Sequence, residues 1–388
     1  MDKNKKLKHN EMPTSIIPLY KQLDKLIVKS AGCYMFDSDN RQYLDFESGD
    51  WAANIGHSND RITQVIKDQA GLLIHDGLRF RNKQSEELSV RLLEKLLFPG
   101  GKSTFLNSGS EAVNLAITFA KNLTRRKKVL KMDCSFLAAY GHGQISANNT
   151  ELVSIPMDSI KSIPEINFHE IAAFVFEPGN AWGLVKFPNN DFITSIASSI
   201  KKNGGLLIAN EVTTGFGRTG KWFGFQHYDY KPDIVSIGKG LGNGYPISCV
   251  SINQKVSELF DSNPFRYAQS HQNDPFGCAV GLEVMNVMDS DGLVQRSSEM
   301  GKYFQAQLRK LQAQHSDKIM DIRARGLMIA FELKAGLSAE NIYLQLIDNG
   351  FLVGQKENVI RFMPSLTIEQ AHIDELITAL NKILLGVL

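Results

Sequence analysis

Short apolar runs punctuate the middle of the chain: STFLN (103–107), KVLKMD (128–133), IAAFVFE (171–177), GLLIAN (205–210) and DIVSIG (233–238). None alternates polar and apolar residues as a half-exposed strand does, which predicts strands buried on both faces. Between them the period lengthens. SEAVNLAITFAKNL (110–123) repeats its apolar residues at helical spacing, and DFITSIASSIKKNGG (191–205) does so before a Gly pair suited to a helix C-terminus. Strand–helix alternation of this kind predicts an α/β fold with a mostly parallel sheet flanked by helices. Upstream, GCYMFDSDNRQYLDFES (32–48) predicts a hairpin with DSDN as its turn. Downstream, PFGCAVGLEVMNVM (275–288) begins a long helix. A lobe then reads helix, strand (LMIAFEL, 327–333), helix (AENIYLQLIDNG), strand (NVIRFM, 358–363), helix. The expected organisation is a large domain over 49–285, a C-terminal α+β small domain over 286–388, and an N-terminal segment, 1–48, that joins the small domain.

Composition narrows the class only a little. The 388 residues exceed the ~250–300 at which a single core stops growing, in keeping with two lobes. A net charge of +2 gives no reason to expect a nucleic-acid or acidic-membrane partner. The basic run KNKKLKH (3–9) reads as a solvated tail. With no secretory h-region and no apolar run of ~18 residues, a cytoplasmic protein is expected. Cys33, Cys134, Cys249 and Cys278 are far apart and form no C-x-x-C, so neither a disulfide framework nor a metal site is indicated.

Ligands of parallel sheets bind at the carboxyl ends of the strands. Four predicted strand ends carry polar or reactive groups: NSGSEA (107–112), Glu177, Asn210 and Lys239. Two readings of NSGSEA stand. Free N–H groups and the Ser110 hydroxyl at a helix N-terminus suit a phosphate, or Ser108 caps the helix with Glu111 completing its first turn. Lys239, after an apolar run and among glycines, is oddly placed for a solvated charge. A buried lysine of lowered pKa forms a Schiff base with a carbonyl, and beside a phosphate cradle that points to pyridoxal phosphate.

Over nearly its whole length the chain resembles the class III pyridoxal-phosphate aminotransferases of fold type I, the acetylornithine, ornithine and 4-aminobutyrate type. The resemblance runs through GCYMFDSDNRQYLDFESG…NIGH (32–57), FLNSGSEAVNLAI (105–117), FEP (176–178), ANEVTTGFGRTGKWFGFQHYDYKPDIVSIGKGLGNGYPIS (209–248), SHQNDPFGCA (270–279) and VIRFMPSLTI (359–368). It implies that Lys239 is the catalytic Schiff-base lysine and proton shuttle. Ser108, Gly109 and Ser110 would form the phosphate cradle, Phe136 and Val212 would flank the ring, and Thr213 would lie near the ring hydroxyl. Glu177 and Asn210 complete the expected cofactor set. Ser270 would reach the phosphate of a second subunit, implying a homodimer with composite sites. Arg361 would grip a substrate carboxylate, a task suited to a planar bidentate donor.

Three departures fall at the site. Asn210 stands where the family has Asp, and it offers the ring nitrogen no charge. Trp182, in EPGNAWG, replaces the glutamate that switches the arginine between substrates, so Arg361 is expected to lose that gate. SFLAAYGHG (135–143) replaces aromatic-His-Gly-Arg, leaving no second arginine for a carboxylate. Trp182 reads as pocket lining or core; Trp51, where the family has small residues, reads equally as either. The expected activity is ping-pong transfer of an amino group from an amino acid or amine to a 2-oxo acid. The alternatives are a racemase or epimerase, which a neutral Asn210 would favour, and a non-catalytic binder of the cofactor.

Overall fold

The computed structural model describes residues 15–386 except 18, 21, 147, 180 and 181. The basic run 3–9 therefore lies outside the described residues. β1 (Ile27–Ala31), β2 (Tyr34–Asp37) and β3 (Gln42–Asp45) form an antiparallel meander. The expected hairpin is there, and its turn is held by Asp37, whose Oδ1 accepts the N–H groups of Asp39 and Arg41.

The central sheet comprises β4 (Lys102–Leu106), β5 (Lys128–Met132), β6 (Leu152–Ile155), β7 (Ile171–Phe176), β8 (Leu206–Asn210), β9 (Ile234–Ile237) and β10 (Ser248–Ile252). Its order is β4-β10-β9-β8-β7-β5-β6. From β9 to β6 the pairing is parallel throughout. β10, which the apolar pattern does not reveal, inserts antiparallel between β4 and β9. Its sequence SCVSI carries buried Ser248 and Ser251, which break up the apolar run that marks its neighbours.

The two faces of the sheet follow from the period of two. Ala173 and Val175 of β7 pack with the helix Gly109–Thr124, while Phe174 and Phe176 pack with the helix Asn190–Lys202. Both faces are covered, so β7 and β8 are buried at every position. Each such phenylalanine contributes about 1.5–3 kcal/mol of burial. This sandwiching fixes the strand ends that carry Glu177, Asn210 and Lys239.

The helices Pro275–Ser290 and Leu293–Gln314 lead to β11 (Ile319–Arg325) and β12 (Met328–Leu333). β13 (Phe351–Leu352), β14 (Gly354–Lys356) and β15 (Val359–Phe362) follow. An antiparallel sheet of order β11-β12-β15-β14 results. β13 leaves it to pair in parallel with β3, Phe351 opposite Leu44, so both ends of the chain share a sheet. Fully buried Arg218 ties these parts together: it donates to the carbonyls of Leu327 and Pro364, to Ser48 Oγ at 3.1 Å and to Asn54 Oδ1 at 2.7 Å.

Between β3 and the large sheet, Ser48, Gly49, Asp50 and Trp51 have φ of 43°, 59°, 62° and 71°. A left-handed turn costs ~1–2 kcal/mol at each non-glycine residue. Asp45 holds it, its carboxylate accepting the N–H groups of Glu47 and Gly49, and Ser48 Oγ donates to the Met363 carbonyl at 2.7 Å. The strained turn aims Trp51 into the space above Lys239.

Candidate active site

Lys239 follows β9 and Gly238, with φ of 45°. Its Nζ donates to Thr213 Oγ1 at 3.3 Å and lies 3.9 Å from the centre of the Trp51 ring. Burial pushes its pKa down to about 8, against the opposing fields of Asp50, Glu177 and Glu47. A lysine so placed is substantially neutral near pH 8 and able to attack a carbonyl.

Asn210 ends β8 and is buried. Its Nδ2 donates to the Phe136 carbonyl at 3.4 Å, and its Oδ1 accepts the Val212 N–H at 3.3 Å. The Phe136 N–H in turn donates to Glu177 Oε2 at 3.3 Å. Phe136 is thus strapped to two neighbouring strand ends. Its ring meets that of Trp182 edge-on at 5.5 Å, and Trp182 is 41% exposed, bordering this cluster rather than filling a core.

Sequence reasoning missed Glu211, the residue after Asn210. Its buried carboxylate accepts from Thr214 Oγ1, Gly224 N and Phe225 N, which shapes the loop presenting Val212 and Thr213.

At the start of the helix Gly109–Thr124, Ser108 Oγ accepts the Glu111 N–H at 3.2 Å while Glu111 accepts the Ser108 N–H at 2.7 Å. Ser108 is therefore spent on a capping box, the second of the two readings above. The first survives beside it. Ser110 Oγ accepts from Ala139 N at 3.0 Å and keeps its own hydrogen to donate. Gly109 admits no side chain, because a Cβ there would stand 2.6 Å from Val212 Cγ1. Ser270 is exposed on the turn before the helix Pro275–Ser290, and no contact ties it to Lys239 among the described residues.

The far side of the site comes from the ends of the chain. Arg361, on β15, places Nε 3.3 and 3.2 Å from Glu47 Oε1 and Oε2, and Nη2 3.0 Å from Oε2. Trp51 Nε1 donates to the same Oε2 at 3.0 Å, and the Arg361 guanidinium carbon lies 4.8 Å from the Trp51 ring centre. Gly183 and Gly354 leave the guanidinium its room, since a Cβ on either would strike it. An Arg361 without a gating carboxylate, expected from Trp182, is not what the fold produces: Glu47 occupies the guanidinium instead. Nothing local in the sequence marks Glu47, whose partner is 314 residues away. Trp51 is both wall and core, facing Lys239 and Arg361 while backing onto Val185, Met328 and Met363.

These residues fit pyridoxal phosphate. The buried amine suits its carbonyl, and the side-chain-free step at Gly109 beside helix N–H donors suits its phosphate.

A profile of the family described as Aminotransferase class-III matches residues 18–147 and 136–384. The acetylornithine aminotransferase of Caldanaerobacter subterraneus subsp. tengcongensis is 31% identical over 387 residues, covering 95% of this chain and 97% of that protein. The ornithine aminotransferase of Brevibacillus brevis is 32% identical, covering 94% of each. The crystal structure of acetylornithine aminotransferase from Elizabethkingia anophelis superposes with a TM-score of 0.84 at 27% identity, covering 95% of this chain and 96% of that one.

Proposed function

The chain belongs to the class III aminotransferases, pyridoxal-phosphate enzymes of fold type I, and from that premise we propose that it takes an amino donor bearing a carboxylate and an apolar portion. The observation that carries this reading is the far wall of the site, where the Arg361 guanidinium lies against the Trp51 ring. Racemisation, which the neutral Asn210 left open, is not favoured, because the relatives are aminotransferases.

Pyridoxal phosphate, when bound, supplies the electron sink for the charge that develops at the substrate carbon. Lys239 holds the cofactor and carries the proton on Nζ at that carbon, with Thr213 orienting the amine. The N–H groups of Gly109 and Ser110, with the Ser110 hydroxyl, take the phosphate. Phe136 and Val212 would flank the ring and Asn210 would face its nitrogen, while Glu177 positions Phe136. Trp51 and Trp182 exclude water from the substrate side, and Arg361 orients the carboxylate. Ser270, exposed in one protomer, reaches the phosphate of a second, making a homodimer with composite sites. Residues 49–285 act as the cofactor-binding domain, and 286–388 with 1–48 as the small domain. Four unpaired cysteines suit the reducing cytoplasm.

Comparing kcat/KM over a panel of α-amino acids, ω-amino acids and simple amines, with a 2-oxo acid as acceptor, tests the donor class. Carboxylate-bearing donors with apolar chains are expected to lead. A simple amine that outruns them overturns the reading.

A further inference from the structure

Glu47 is a carboxylate with an unusual commitment. It holds both Nε and Nη2 of Arg361, and it takes the Trp51 indole N–H as well. Both members of the pair are nearly out of water, at 12% and 15% side-chain exposure. The backbone of β14 closes over them, for a Cβ on Gly354 would lie 2.6 Å from Glu47 Oε1. Glu47 thus fills the side-on edge of the guanidinium, Nε with Nη2, while Nη1 on the opposite edge lies against Gly183, where a Cβ would strike it.

We propose that Glu47 is a competitor built into the site: a substrate carboxylate reaches the Arg361 fork only by displacing Glu47, and Glu47 leaves the fork as the neutral acid. This rests on the assignment of Arg361 to the substrate carboxylate and goes beyond it. The proton comes from solvent, and no bond but O–H forms. The surroundings dictate this outcome. Burial holds the Glu47 pKa above that of an ordinary glutamate, with Arg361 the chief opposing influence. Once Arg361 turns to a substrate, that opposition goes and a desolvated anion is left. The other charges facing Glu47 do not replace it. Asp45, itself bonded to His57, is a like charge from the β3 side. Tyr343, on the helix Ala339–Asp348, has its own ionisation opposed by Glu47. Lys239 stands across the Trp51 ring, and buried Arg218 is already bound to carbonyls, Ser48 and Asn54.

The consequence is a site whose affinity for carboxylates is tied to pH and whose selectivity is set by Glu47. A carboxylate must bind well enough to expel an internal one, so acids that engage Nε and Nη2 with both carboxylate oxygens are favoured. Glutarate, which has no amino or oxo group to react, is the probe. Calorimetry on the holoenzyme in buffers of different ionisation enthalpy counts protons. About one is expected to be taken up per glutarate bound, with affinity falling about tenfold per pH unit above the Glu47 pKa. Glu47→Gln, which keeps the shape and replaces the anionic partner of Arg361 with a neutral one, is expected to bind glutarate about tenfold more tightly at pH 8. Its uptake of protons is expected to vanish. Glutarate affinity that depends on Arg361 but is independent of pH and equal in Glu47→Gln overturns this proposal alone. Proton uptake surviving in Glu47→Gln assigns the proton elsewhere and overturns it too. Glutarate binding indifferent to Arg361→Ala overturns the assignment of Arg361 and, with it, the proposal.

Discussion

The floor of the site and its far wall are built in opposite ways. Lys239, Asn210 and Glu177 follow adjacent parallel strands, so the spacing of the sheet alone brings them together. Glu47, Trp51 and Arg361 meet because β13 crosses to pair with β3 and because a strained turn points Trp51 inward. The floor carries the groups proposed to act on the cofactor, and the fold that positions them superposes on an acetylornithine aminotransferase structure over 95% of the chain. The wall is built from distant segments: Glu47 and Trp51 follow β3, and Arg361 lies on β15. The lesson is that the proposed chemistry is anchored in the rigid sheet, whereas the proposed recognition is assembled at a seam between distant parts of the chain.

Mutations separate the two regions most sharply at Lys239. Lys239→Ala removes the amine proposed to hold the cofactor and carry the proton, and kcat is expected to fall about 10⁴-fold. Glutarate affinity, a property of the wall, should stay within about threefold by calorimetry. A comparable loss of glutarate binding would mean that floor and wall are not separable.

Arg361→Ala strikes the wall. Losing a bidentate charged contact is expected to raise KM for a carboxylate donor by about 100-fold, with kcat changed by less than about threefold. It also leaves Glu47 buried without a cation, at a cost of about 3 kcal/mol, which lowers Tm. Adding Glu47→Gln should restore much of that Tm. Failure of the double variant to recover would show that Arg361 stabilises the seam by packing rather than by charge.

The smallest effect is expected at Asn210. Asn210→Asp gives the ring nitrogen an anionic partner, and the proton-abstraction half-reaction, followed by stopped-flow absorbance, should quicken about tenfold. An unchanged rate would place the compensating charge elsewhere on the floor, with buried Glu177 the nearest candidate along the Phe136 strap.

The amino-acid sequence by itself determined the floor. Short apolar runs without alternation, spaced between helical patterns, are what strands covered on both faces require, and parallel strands so covered present their carboxyl ends along one edge. Glu177, Asn210 and Lys239 were therefore legible as one cluster before any coordinates, as was the family. The antiparallel β10 was not, because serines at 248 and 251 interrupt its apolar pattern. The capping box at Ser108 was legible as chemistry but not as a choice, since the same residues suit a helix cap and a phosphate. Tertiary structure alone decided the wall. Glu47 sits at the end of a hairpin strand and looks like any solvated acid in sequence. Its role comes from Arg361, 314 residues away, and from a turn whose four positive φ values no local propensity predicts. Local patterns report which surfaces must leave water; they carry no information about which distant charge will be waiting there.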